Sequence, residues 1–206
     1  MAASASERLA LAGWRRSVAE LYAQVRAGPE PEAAHERWRA RRDELFAGHP
    51  QSPLPPDDPL RRTGLSYYPY DAALRFEAPV HPDGAGDLRE VPTGGDGVIR
   101  LRRIGRAQLP AGRGSLAIWW LEQYAGGLFV PFRDATAGDT TYGAGRYLLD
   151  TAKGADLGGS GTTLTLDLNF AYHPSCRYDP RWQCPLAPPA NVLDWRVEAG
   201  ERLDRN

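Results

Sequence analysis

Apolar residues near the start of the chain recur every three or four positions, which is the spacing of one face of an α-helix. The first run covers residues 7–27, follows a capping-box pattern at Ser4, and ends before Gly28. A second run covers residues 32–47. Because two helices alone bury little apolar surface, the pattern predicts that residues 1–48 form a helical hairpin packed on another unit.

Both predicted helices carry a tryptophan on the apolar face, and we expect Trp14 and Trp38 to be buried where the hairpin meets that unit. The second helix also carries four arginines interleaved with acidic residues. This alternation is typical of a solvated helix face, and a site for an anionic partner is the alternative interpretation. The four arginines are Arg37, Arg39, Arg41 and Arg42.

Periodicity changes after the helices. Residues 49–64 are proline-rich and aperiodic, which predicts an extended connector. Beyond them, apolar and polar residues alternate in short runs separated by turn residues, as in strands with one buried face. With 22 Gly and 18 Pro in 206 residues, residues 65–206 are predicted to form an antiparallel β barrel or sandwich, so the fold class is mainly β (α+β). The predicted strands are residues 74–80, 87–91, 98–103, 104–109, 115–123, 128–132, 146–151 and 162–170.

Charge and hydropathy exclude several classes of partner. The formal net charge is −1, so no basic field is available to recruit nucleic acid or an anionic membrane. The chain has no run of about 18 apolar residues, and its first residues do not resemble a signal peptide. We therefore expect a soluble, cytoplasmic protein without a nucleic-acid or membrane partner, and its oligomeric state stays open.

Motifs that would bind a cofactor or a metal fail in detail. The glycines before Arg146 lack the Lys and hydroxyl residue of a phosphate loop. The acidic segment that begins at Asp134 lacks the Gly and the final Glu of a calcium loop. Ser160 lies between two glycines but lacks the strand–turn–helix context of a nucleophile elbow. No cofactor and no metal site is predicted.

The two cysteines lie in a proline-rich loop, where Cys176 and Cys184 enclose seven residues and His173 precedes them. This spacing matches no common zinc pattern. We expect the pair to support the loop, as thiols or as a disulfide, with the two sulfur atoms close together. A zinc site and a nucleophilic Cys176 are the alternatives, and the nucleophile would need a base nearby in space.

Short polar side chains gather at the ends of two predicted strands. Arg146 begins one strand, and Asp167 and Asn169 lie on the polar face of the other. If the strands are neighbours, Arg146 pairs with Asp167, either as a structural ion pair or in a pocket where Arg146 binds an anionic group. The predicted ligand-binding residues are Thr136, Thr141, Tyr142, Arg146, Asp167, Asn169, Tyr172 and Cys176.

Four segments of the second half are distinctive, namely PFRDATAGDTTYGAGRYL, LDLNFAYHPSC, CPLAPPAN and EAGE. Together with HPQSPL and GLSYYPYDAALRF, they resemble a bacterial family known as Domain of Unknown Function family 1684. The resemblance covers roughly residues 35–203, and His173 departs from it because the family pattern has Asn there. It implies no activity. Some family members resemble exported lipoproteins, and this chain is expected to lack the signal for export.

Two functional classes follow from the predicted site, and a third follows from the helices. The first is a small-molecule-binding β domain with a polar pocket for a small anionic ligand. The second is an enzyme, for example a hydrolase, that uses Asp167 or Cys176 with Arg146. The third is a non-catalytic interaction scaffold that uses the N-terminal helices. A strongly shifted carboxylate or thiol in a pocket would favour the enzyme, and a deep apolar pocket would favour binding.

Overall fold

The structure is a computed structural model that describes residues 4–93 and 97–203. The predicted helical hairpin is present. Its first helix begins at the predicted capping box, since the Ser4 hydroxyl accepts a hydrogen bond from the Glu7 N–H at 3.2 Å. A short third helix interrupts the proline-rich connector. The helices are α1 (Ala5–Ala27), α2 (Pro31–Gly48) and α3 (Leu60–Thr63).

An antiparallel sheet follows, with eight strands in the described part of the chain. The strand order is β6-β5-β4-β3-β1-β8-β7, and β2 pairs with β3. The sheet is curled into a half-barrel, which confirms the mainly β, antiparallel fold. The strands are β1 (Arg75–His81), β2 (Leu88–Thr93), β3 (Gly97–Gln108), β4 (Ser115–Leu121), β5 (Leu128–Phe132), β6 (Arg146–Asp150), β7 (Gly159–Ser160) and β8 (Thr163–Asp167).

Two of the predicted strands, 98–103 and 104–109, are one continuous strand, β3. The register against β4 shifts between Arg103 and Gly105, so a bulge breaks the alternation without ending the strand. Gly105 is required there because a Cβ atom would lie 2.4 Å from the His81 carbonyl oxygen. The close approach of β1 to β3 therefore depends on this glycine.

The last long strand is shorter than predicted. β8 ends at Asp167, and residues 168–170 form a 3₁₀ turn. The turn begins because the Asp167 carboxylate accepts the Asn169 backbone N–H at 3.1 Å. Asp167 and Asn169 are therefore both buried, rather than displayed along a polar strand face.

The helices share one hydrophobic core with the sheet. Trp38 of α2 is fully buried at the joint, with its ring centroid 5.1 Å from that of Phe170 and 5.5 Å from that of Tyr67. Trp14 of α1 is half-buried and packs on Phe46. The predicted burial at the joint is therefore complete for Trp38 and partial for Trp14.

A second apolar cluster lies around Trp119 and Tyr147, and the proline-rich loop after Cys184 packs on it. Asn191 fixes this loop. Its side chain accepts the Trp119 indole N–H at 3.2 Å and donates to the Ala117 carbonyl at 2.9 Å. The Tyr147 hydroxyl donates to the Pro185 carbonyl at 2.7 Å. These bonds hold the cysteine loop against β4 and β6.

Trp38→Ala should lower the free energy of unfolding by about 3–5 kcal/mol, because it empties a fully buried site between helix and sheet. Trp120→Ala is the matched control, since 39% of that side chain is exposed, and its loss should be clearly smaller. Urea unfolding of the two variants measures both values. Equal losses would show that the helices do not share the sheet's core.

Candidate functional site

Arg146 is completely buried at the start of β6 and serves as a structural cross-link. Its guanidinium donates to the carboxylate of Asp134 at 3.1 Å and to the Val197 carbonyl at 2.9 Å. It also donates to the carbonyls of Ala199 and Glu201. The predicted pair with Asp167 is wrong. Arg146 therefore cannot face a ligand in solvent, and it fixes the C-terminal segment on the sheet.

Two more predicted site residues belong to the same buried cluster. The Thr136 hydroxyl donates to Asp134 at 2.7 Å and lies 2.8 Å from the Thr141 hydroxyl. Asp134 also accepts the Val197 N–H at 2.8 Å. Both threonines are fully buried. Thr136 and Thr141 thus close the turn beside Arg146, as expected of short polar residues in turns.

Asp167 and Asn169 lie on a different part of the sheet, where β8 meets β1. The Asn169 amide donates to Asp167 at 2.8 Å and to the Asp71 carbonyl at 2.8 Å. The second Asp167 oxygen accepts the Tyr70 hydroxyl at 3.3 Å and lies 3.9 Å from the Arg75 guanidinium. Burial raises the pKa of Asp167, although these hydrogen bonds oppose the shift.

A buried carboxylate, Glu201, joins the helices to the sheet. It accepts the Arg42 guanidinium of α2 at 2.7 Å, the His173 backbone N–H at 2.9 Å and the Tyr178 hydroxyl. Arg42 also donates to the Tyr67 hydroxyl at 3.1 Å. Burial alone would raise the pKa of Glu201, but Arg42, His173 and Tyr178 outweigh it and lower the pKa to about 2. The carboxylate is therefore charged throughout the ordinary pH range.

The arginine cluster of α2 is consequently not a uniform solvated face. Arg42 is buried, although Arg37 and Arg41 are exposed and Arg39 is half-exposed. Arg42 lies four residues after Trp38, on the same side of the helix, and its guanidinium covers the Trp38 ring at 4.8 Å. That spacing is the one sequence signal that could have identified Arg42 as a buried residue.

His173 is buried and held by both ring nitrogens. Nδ1 lies 3.3 Å from the Glu201 carboxylate, and Nε2 accepts the Tyr142 backbone N–H at 3.2 Å. Burial lowers the pKa of His173, although Glu201 opposes the shift. A neutral ring with the proton on Nδ1 satisfies both bonds. The histidine thus connects the Tyr142 loop to Glu201 and is not a free general base.

A cavity of about 100 Å³ lies between the helices and the sheet, and we call it the interlayer cavity. Its walls are mostly apolar, with polar groups from the two helices, from β6 and from the segments that follow β6. The apolar walls come from Trp14, Val18 and Leu21 of α1 and from Leu45 and Phe46 of α2. The polar groups come from Tyr22, Arg42, Tyr147, Asp150, Lys153, Tyr172, His173, Ser175 and Cys184. Tyr172 is thus the one predicted site residue on this wall.

Two residues that line the cavity each have a buried polar atom without a hydrogen-bond partner. One is the hydroxyl of Tyr22, which lies near the Trp38 indole but meets no atom in hydrogen-bond geometry. The other is Oδ1 of Asp150, whose second oxygen lies 3.1 Å from the Lys153 ammonium. Burial raises the pKa of Tyr22 to about 12, so its hydroxyl keeps its proton. Tyr22 and Asp150 therefore bring one unsatisfied donor and one unsatisfied acceptor to the residues that line the cavity.

The cysteine pair adjoins this cavity. Both thiols are free, half-buried and in contact with each other, as the sequence predicts for two sulfur atoms that support one loop. Cys184 lies on the cavity wall, and Cys176 contacts the Tyr142 hydroxyl behind it. Tyr142 and Cys176 therefore contact each other, but neither of them pairs with Arg146 or Asp167. The arrangement of Arg146 with Cys176 or Asp167 that the enzyme hypothesis requires is not formed.

A second, more polar cavity of about 420 Å³ lies beside the α1–α2 turn, and we call it the β1–β8 groove. Its walls include Asp167 and Thr165 of β8 and Arg75 and Glu77 of β1. Arg26 of α1 closes one side. Both arginines already pair with acids, Arg75 with Glu77 at 3.0 Å and Arg26 with Asp156 at 3.6 Å. Little net positive charge is therefore left in the groove.

Neither cavity is built around a metal site. Within residues 4–93 and 97–203, no three His, Cys, Asp or Glu side chains are grouped so that they could hold a metal ion. The described helices also include none that is both long enough and apolar enough to cross a membrane. The chemistry that the site offers is therefore hydrogen bonding inside an apolar cavity and the reactivity of the adjoining thiols.

The chain resembles proteins whose function is also unknown. A family model described as "Protein of unknown function (DUF1684)" matches residues 62–202. A solution NMR structure of an uncharacterized protein from Haloarcula marismortui is 33% identical, with a TM-score of 0.58. The match covers 84% of this chain and 94% of that chain, more than the family model does, so it includes part of the region before residue 62. No curated protein matches the sequence significantly.

Stability should depend on the Glu201 carboxylate at acid pH. Its pKa is about 2 in the folded protein against an ordinary 4.5, so its contribution is fully present above about pH 4.5 and is lost as the pH falls toward 2. Between pH 6 and pH 3 the protein should lose about 2 kcal/mol from this group alone. Urea unfolding at the two pH values measures the loss.

Glu201→Gln should lack that part of the pH dependence, whereas Glu198→Gln should keep it because Glu198 is exposed. If Glu201→Gln and the unmodified protein lost equal stability between pH 6 and pH 3, Glu201 would not be the buried charge that joins helix to sheet.

Proposed function

The chain belongs to DUF1684, a family of proteins of unknown function, and we propose from the geometry of its interlayer cavity that it binds a small molecule there. The cavity lies where the family-matched β unit meets the N-terminal helices, so both parts of the chain form the site. A ligand held there would be enclosed by apolar walls and oriented by a few polar groups, as is usual for small-molecule sites.

The observation that carries the proposal is the pair of unpartnered polar atoms in residues that line the cavity, the Tyr22 hydroxyl and Asp150 Oδ1. A buried polar group without a partner costs about 1–3 kcal/mol, so folded proteins rarely leave two in one place. A ligand that accepts from Tyr22 and donates to Asp150 would recover that free energy. The cavity and the two unpartnered atoms together therefore favour a ligand-binding site over a packing defect.

The size and chemistry of the cavity define the ligand class. Cavities of about 150 Å³ hold a benzene-sized molecule, so a cavity of about 100 Å³ suits a chain of a few carbons or part of one ring. The carboxylate of Asp150 requires a donor, either a hydroxyl or an ammonium group. The proposed ligand is therefore a small amphipathic alcohol or amine whose apolar part lies among Val18, Leu21 and Phe46.

The small anionic ligand predicted from the sequence has a different best site. Arg146 is buried and its charge is paired with Asp134, so the arginines considered for an anion are Arg26 and Arg75, which line the β1–β8 groove. The volume of the groove, about 420 Å³, lies in the range of small-molecule sites. Because both arginines already pair with acids, anion binding there is the second candidate. Stabilisation by phosphate or citrate that Arg75→Gln removes would support it.

Asp150→Asn should weaken binding of small alcohols and amines by roughly 10-fold, because the charged acceptor that orients the donor is lost. A panel of aliphatic and monocyclic amines and alcohols, tested by thermal shift and by ligand-observed NMR, measures the effect. Asp156→Asn is the matched control, since Asp156 is partly exposed and pairs with Arg26 outside the cavity. Native mass spectrometry of freshly purified protein tests for a retained ligand.

Val18→Phe separates a ligand site from a packing void. The larger side chain fills part of the cavity, so it should abolish binding while the protein stays folded. If Val18→Phe raises the melting temperature and no compound in the panel stabilises the unmodified protein, the cavity is a void and the proposal is wrong.

A further inference from the structure

The cysteine loop places two thiols in contact at the edge of the interlayer cavity. Cys184 lies on the cavity wall, and Cys176 lies beside it in the 3₁₀ turn Ser175–Arg177. Both side chains are half-buried, so small solutes can reach them. The loop is fixed after Cys184, by the bond from Tyr147 to Pro185 and by the Asn191 side chain. The contact between the thiols is therefore a property of the fold.

The surroundings of the two sulfur atoms differ in charge and hydrogen bonding. The Cys184 sulfur lies beside the thiol and the backbone N–H of Cys176, and the Lys153 ammonium adds a positive charge nearby. These donors lower the pKa of Cys184 to about 6, although burial opposes the shift. The contact between the two thiols is the largest cause that raises the pKa of Cys176, and burial is the second. Near neutral pH the pair therefore holds one proton, on Cys176.

We propose that Cys184 and Cys176 form a dithiol that reduces hydroperoxides, with Cys184 as the attacking sulfur and Cys176 as the resolving sulfur. The assignment follows from the geometry, because Cys184 lines the cavity, whereas Cys176 contacts Cys184 and does not line the cavity. It reverses the alternative drawn from the sequence, in which Cys176 was the nucleophile. The apolar cavity walls beside Cys184 suit the carbon group of an organic hydroperoxide.

The first step is attack of the Cys184 thiolate on the terminal oxygen of the hydroperoxide ROOH. The S–O bond forms, the O–O bond breaks, and the alkoxide takes a proton from solvent to leave as ROH. Sulfur loses two electrons and the peroxide gains them, so Cys184 becomes a sulfenic acid. In the second step the Cys176 sulfur attacks Cys184. The S–S bond forms, the S–O bond breaks, and hydroxide leaves with the Cys176 proton as water.

The net change is one dithiol and one ROOH to one disulfide, one ROH and one water. Peroxide reduction needs only the two thiols, so it does not depend on the ligand proposed above. A negative result with the panel of alcohols and amines therefore leaves the thiol chemistry standing. Conversely, a failure of the thiol chemistry leaves the ligand proposal intact.

Alkylation of the unmodified protein tests the order of reactivity without any substitution. Limiting iodoacetamide at a series of pH values, followed by peptide mass spectrometry, should label Cys184 with a midpoint near pH 6 and label Cys176 much later. The same protein in guanidinium chloride is the control, and both cysteines should then titrate alike. Equal labelling of the two cysteines in the folded protein would overturn the assignment.

Oxidation by one equivalent of tert-butyl hydroperoxide tests the chemistry itself. The unmodified protein should lose two hydrogens and both free thiols, with the disulfide located between Cys176 and Cys184 by peptide mapping. Cys176→Ser should instead stop at a sulfenic acid that dimedone traps on Cys184, and Cys184→Ser should give no trapped product. Circular dichroism checks that both variants are folded. Trapping on Cys176 in Cys184→Ser, or no oxidation of the unmodified protein, would overturn the proposal.

Discussion

The contact between the helices and the sheet depends on one buried ion pair, Arg42 with Glu201. Two charges removed from water cost more than a neutral contact unless every donor and acceptor is used, and here Tyr67, Tyr178 and His173 complete the set. The Arg146 guanidinium also holds this C-terminal segment, because it donates to the backbone carbonyls of Val197 and Glu201. Two buried arginines, Arg42 and Arg146, thus fix the segment around Glu201. The helices are held to the sheet through this segment.

This arrangement explains why a cavity persists beside the joint. The polar network sets the separation of α2 from the sheet, so the apolar side chains around it do not need to fill the remaining space. Tyr22 comes from a helix, Asp150 from the end of β6 and Cys184 from the proline-rich loop. Three segments that are distant in sequence therefore converge on one site, and both proposals, ligand binding and thiol chemistry, use that convergence.

The fold could be predicted from the sequence better than the site could. Period-two alternation located nearly every long strand, and failed only where the bulge before Gly105 hid a continuous strand and where Asp167 began a turn. The predicted pairing of Arg146 with Asp167 was wrong because of the order of the strands in the sheet. Phe132 pairs with Arg146 across β5 and β6, which brings Asp134 close, whereas Asp167 lies on β8 and four other strands separate β8 from β6. Strand order is set by long-range packing, which alternation does not encode.

A double-mutant cycle on Arg42 and Glu201 tests most directly whether their ion pair holds the two layers together. Urea unfolding of Arg42→Met, Glu201→Gln and the double variant gives the coupling energy, with the exposed pair Arg196 and Glu198 as the matched control. We predict a coupling of about 2–3 kcal/mol for the buried pair and under about 1 kcal/mol for the exposed pair. Additive losses at Arg42 and Glu201 would contradict the account, because the helices would then be held by apolar packing alone.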